Sequence, residues 1–119
     1  MTEPEVYVRT RSYEVTIWPE EMGDEINAGT WCLCVDYRGA GRWGVFRGAF
    51  AGPSTPCLGR DATWSFGRPD DQDDMAAWLA NYRFTEQEAL DFAREWAPKM
   101  RTSGMTAAEA LADTAVQDA

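Results

Sequence analysis

The chain has 119 residues, 45% of them hydrophobic and 13% aromatic, enough for one domain with a core that needs no metal or disulfide staple. Its net charge of −9 is uneven, with net −5 over residues 1–25, +3 over 26–68 and −7 over 69–119, which opposes a general phosphate-binding surface. Histidine is absent, which removes Ser-His, Cys-His and His-based acid–base catalysis together.

At the start of the chain no basic stretch leads into an apolar run of signal-peptide length, and no run approaches the ~20 residues of a membrane-spanning helix. A soluble, cytoplasmic protein with reduced thiols is expected, because three cysteines fit no secreted disulfide framework. The first element is a strand within VYVRTRSYEVTIW, where Tyr13, Val15 and Ile17 share one face and Glu14 and Thr16 the other. Pro19 ends it, and EEMGDEINAG reads as an acidic, Gly-punctuated loop. A second strand, WCLCVDY, is followed by RGAGR and a third, WGVFRGAF. After the connection Gly52–Pro56, the stretch Cys57–Phe66 reads as a fourth strand with Trp64 and Phe66 on one face.

Beyond Arg68-Pro69 the apolar period changes. Met75, Trp78, Leu79 and Tyr82 recur at helical spacing behind the acids of DDQDD, which suit a helix N-terminus. TEQE is a capping box with Thr85 as cap, flanked by Phe84 and Ala89 at the positions of a hydrophobic staple. The next helix buries Ala89, Phe92 or Ala93, and Trp96, and stops or kinks at Pro98. Gly104 breaks the chain again, and TAAE at 106–109 caps a short last helix around Leu111. Strands followed by helices make an α+β domain: an antiparallel sheet of three to four strands packed, on one face, against two to three C-terminal helices. The single domain 1–119 divides into a β-rich half, 1–68, and a helical half, 69–115.

Three motifs carry possible chemistry. Gly39, Gly41 and Gly44 spell G-x-G-x-x-G after an apolar run, with Asp61 downstream. A dinucleotide site needs the last glycine to enter a helix, yet VFRGAFAGP follows, a poor helix. A kinase-type glycine loop needs a strand-borne lysine, and the only lysine is Lys99. The expectation is a hairpin with Gly39 and Gly41 supplying positive φ in its turn. Cys32, Cys34 and Cys57 could form a thiolate metal or redox centre, but buried core thiols are the simpler reading. The acidic clusters lack the glycine and terminal glutamate of a calcium loop and look like a solvated loop and a helix start. No cofactor, metal or catalytic residue is expected.

The hairpin carries Tyr37, Arg38, Arg42, Trp43 and Arg47 around an exposed turn. Aromatic and arginine side chains dominate protein-interface hot spots. These five are therefore the expected partner-binding residues of a non-enzymatic protein-interaction module, with no direct nucleic-acid or membrane binding. A second reading is an acidic nucleic-acid mimic that occupies a DNA- or RNA-binding protein, since carboxylate arrays can stand in for phosphates.

From Trp78 to Leu111, in RFTEQEALDFAREWAP followed by GMTAAEAL, the chain resembles small uncharacterised proteins of actinobacteria and their phages. The resemblance implies an accessory protein in a bacterial host cytoplasm, one that binds and alters a host protein.

Overall fold

In WCLCV the apolar residues do not alternate, and in the computed structural model Cys32–Val35 of this run lie in a strand with all four residues buried, so both of its faces are covered. The structure describes residues 3–17, 31–52, 54–69 and 72–117, with the side chains of Gln72 and 114–117 excepted. Trp18, the EEMGDEINAG loop, Pro53, Asp70 and Asp71 lie outside these residues. The strands are β1 (Ser12–Thr16), β2 (Cys32–Tyr37), β3 (Trp43–Arg47), β4 (Cys57–Leu58) and β5 (Trp64–Ser65). They form one five-stranded antiparallel meander in chain order. Helices α1 (Gln72–Tyr82), α2 (Glu86–Trp96) and α3 (Ala107–Gln117) follow, with a short 3-10 turn at Ala97–Lys99. The expected α+β order holds, with one strand more than expected. The Cys57–Phe66 stretch divides into β4 and β5 around a turn closed by Gly59 N–H to Thr63 O at 2.8 Å, which leaves Phe66 74% exposed.

β2 and β3 pair Val35 with Val45 and Tyr37 with Trp43, so the hairpin replaces any strand-to-helix phosphate loop. Ala40 (φ 53°) and Gly41 (φ 73°) hold positive φ at the two central positions of its turn, and Arg42 N–H bonds Gly39 O at 2.9 Å. That is the signature of a primed hairpin turn. Gly44 answers a different need. A Cβ there would lie 2.6 Å from Cε2 and 2.8 Å from Cζ of Phe46, whose ring folds back over it.

One sheet face carries Leu33, Val35, Trp43, Val45 and Leu58, packed with Phe84, Ala89, Ala93, Ala97 and Met100. The alanines at 89, 93 and 97 lie one turn apart and let α2 sit close on the strands. Each large aliphatic side chain buried there contributes about 1.5–3 kcal/mol. Thr85 caps α2 with the full reciprocal box, accepting from Glu88 N–H while the Glu88 carboxylate accepts from Thr85 N–H. Those bonds hold the Glu88 carboxyl below its usual range. Helix α3 docks through Ala107 and Ala110 on Trp31, whose indole N–H donates to Met105 O at 3.0 Å.

The helices do not all share one face. Cys34, Phe46 and Cys57 point away from α2 and pack against Trp78 and Tyr82 of α1. The sheet is therefore sandwiched at its β3–β5 end, because its second face is apolar there and must be covered. Among the described residues no helix is long and apolar enough to cross a membrane.

Candidate functional site

Residues alternate across the strands, so the five hairpin positions separate. Tyr37 and Trp43 point to the α2 face, with ring centroids 5.3 Å apart. Trp43 is only 6% exposed and belongs to the core, which corrects its placement around an exposed turn. Arg38 lies on the opposite face, its guanidinium 4.2 Å from the Phe46 ring centroid and 3.2 Å from Asp36 Oδ2. Arg47 reaches the C-terminal segment, donating to Arg101 O at 3.1 Å and Thr102 Oγ1 at 3.4 Å. Of the five, only Arg42 is freely exposed at the tip.

Tyr37 and Trp43 instead floor an open cleft of about 690 Å³ with Arg9, Arg11, Tyr13 and Glu86. Its architecture follows from the sheet. β1 brings Tyr13 beside Trp43, with centroids 5.7 Å apart. The capped start of α2 presents Glu86, whose Oε1 accepts from the Tyr13 hydroxyl at 2.7 Å. That bond raises the Tyr13 phenol above its ordinary value. The Arg11 guanidinium stands 5.6 Å from the Tyr37 ring, and Arg11 O accepts from Tyr37 N–H at 2.8 Å, extending the β1–β2 pairing. Arg9, Arg11, Tyr13 and Glu86 lie outside the hairpin that the sequence pattern points to. For the first three a signal existed: on an extended chain Arg9, Arg11 and Tyr13 share a face, as Tyr13 and Val15 do. Nothing local points to Glu86, since only the docking of α2 brings it there.

Before β1, residues 3–11 form no helix or strand and are exposed throughout. Val6 is 93%, Tyr7 64% and Val8 98% exposed. β1 is an edge strand, and among the described residues no strand pairs with its outer side.

The thiols occupy separate settings. Cys34 meets Ser12 Oγ at 3.2 Å and packs with Cys57 under Phe46. Cys32 lies 3.4 Å from Glu14 Oε1 and 3.6 Å from Gly48 O. Among the described residues no three Cys, Asp or Glu side chains gather closely enough to hold a metal ion. Burial, reinforced by the Glu14 carboxylate, pushes the Cys32 thiol from 9.0 up to about 12. Native Cys32 should therefore resist iodoacetamide at pH 8 and react fully once unfolded. The raised folded-state value means that the unfolded chain loses this proton first. Cys32 then costs no stability below pH 9.0 and progressively destabilises the fold between 9.0 and about 12. The stability difference between wild type and Cys32→Ala, followed across that window by urea unfolding, checks the sign.

No family model, curated protein or solved structure matches this chain.

Proposed function

We propose that the protein is a non-catalytic interaction module that receives an extended segment of another protein on the arm and cleft beside β1. The observation that carries this reading is the exposed apolar run Val6-Tyr7-Val8, three residues before an edge strand. Exposed apolar runs of this kind mark contact surfaces. A free strand edge supplies main-chain donors and acceptors for strand addition, and side-chain pockets beside it supply selectivity. Here that pocket is the aromatic cleft, where Arg9 and Arg11 favour an acidic or carbonyl-rich partner segment. The resemblance of the Trp78–Leu111 pattern to actinobacterial and phage proteins makes a bacterial cytoplasmic protein the partner to seek first.

The test is affinity capture from an actinobacterial lysate with mass spectrometry, using wild type and the double variant Val6→Glu/Val8→Glu. Both residues are surface-exposed, so the variant should unfold like wild type. A protein captured by wild type and lost from the variant is the expected result. An identical set of captured proteins, or none, rules the reading out.

A further inference from the structure

On the sheet face away from the cleft, Arg38, Arg68 and Arg83 line a cavity of about 200 Å³ with Phe46, Cys57 and Trp78. Three elements bring them together: Arg38 follows β2, Arg68 follows β5, and Arg83 follows α1. Arg83 is 8% exposed, and its guanidinium lies 4.5 Å from the Trp78 ring and 5.6 Å from the Phe46 ring. Its Nη1 donates to Tyr82 O at 2.9 Å, while its Nε is buried with no hydrogen-bond partner. Arg38 Nη2 is buried and unpartnered as well, and Arg38 Nε meets Asp36 only as an ion pair out of line for a hydrogen bond. Among the described residues, Asp36 is the one carboxylate paired with the three guanidiniums. Burial lowers the proton affinity of Arg83, the Cys57 sulfur opposes that shift, and Arg38 and Arg68 add to it by repulsion.

Three guanidiniums converging on one small cavity, one of them on a buried residue, describe a site built for an anion. Buried guanidinium groups ordinarily find acceptors. We propose that this cavity binds a phosphate dianion. Among the described residues three guanidiniums stand against one paired carboxylate, an excess of positive charge that suits a dianion, and planar arginine forks suit tetrahedral oxyanions. The volume holds a phosphate group and falls below the ~300 Å³ at which drug-sized ligand pockets begin, so the recognised unit is inorganic phosphate or the head of a phosphomonoester. The acidic remainder of the chain keeps nucleic acid away while this recess remains basic. The site is on the other face from the arm and cleft and does not rest on the interaction reading.

The experiment titrates the full chain with sodium phosphate and with phenyl phosphate against sodium chloride of equal ionic strength, reading the thermal midpoint and tryptophan emission. Trp78 under Arg83 makes emission a local reporter, and Trp78→Phe should remove that response. Phosphate should raise the midpoint beyond chloride, as a ligand of the folded state alone does. Arg68→Ala removes an exposed side chain and keeps the fold intact; together with Arg38→Ala, each should weaken phosphate binding about tenfold or more, the loss of a charge-assisted hydrogen bond. Tighter binding of phenyl phosphate assigns a phosphomonoester, and equal binding assigns the free ion; both support the site. Phosphate indistinguishable from chloride, or both arginine variants binding like wild type, overturns it.

Discussion

Trp43→Ala is expected to cost about 3–5 kcal/mol of stability, the range for truncating a buried large aromatic. Its indole is 6% exposed, pairs across β2–β3 with Tyr37 and lies among Leu33, Val35, Phe84 and α2. Its backbone also bridges the layers: Trp43 N–H to Phe84 O and Phe84 N–H to Trp43 O, each 2.8 Å, fasten β3 to the start of α2. Arg42→Ala, one residue earlier on the exposed tip, should stay within about 0.5 kcal/mol of wild type. Urea unfolding of the two variants separates them. Equal stabilities would show that Trp43 does not hold the core. Partner capture lost in Trp43→Ala would consequently report unfolding, which is why the arm variants are the sharper probe of binding.

Arg60→Ala is expected to lose about 2 kcal/mol, toward the lower part of the range for charge-assisted hydrogen bonds because the side chain is 40% exposed. Arg60 Nη1 donates to Ala80 O at 2.6 Å and Arg83 O at 2.7 Å, filling carbonyls that the end of α1 leaves open. Its guanidinium lies 4.2 Å from the Phe84 ring. The ion pair to Glu88 at 3.4 Å is exposed and adds little. Around this arginine, Asn81 and Thr63 donate to Asp61 Oδ1 at 2.8 and 2.7 Å, lowering the Asp61 carboxyl, and Thr63 shares a hydrogen bond with Tyr82. The β4–β5 turn is thus tied to the end of α1. Hydrogen exchange should show faster exchange in Arg60→Ala at Asn81–Phe84, with β2 and β3 protected as in wild type. Uniform loosening of the whole chain, or none, would contradict this local role.

Much of the fold could be read from short-range patterns. Thr85 and Glu88 stand at capping-box spacing, and the box forms as written. Gly39 and Gly41 carry positive φ in the hairpin turn, and Pro98 turns the end of α2 into a 3-10 segment. The candidate site was much less legible. Tyr37 and Arg38 are neighbours in sequence yet face opposite sides of the sheet, so a stretch of promising residue types scattered into different environments. A local cue to the second covered face was present in Trp31–Val35, an apolar run without alternation, which marks a strand buried on both sides. It did not say which helix would cover that face.

By itself the sequence determined the order of strands and helices, the caps, the turns and the hairpin that excludes a dinucleotide loop. Each rests on interactions between residues a few positions apart, and spacing encodes those directly. Tertiary structure alone decided that Trp43 is core, that α1 crosses to the Phe46 face, and that Glu86 meets Tyr13. It alone decided that Arg38, Arg68 and Arg83 converge. Those outcomes follow from how the whole chain buries two unequal apolar sheet faces at once, and no local period carries that balance.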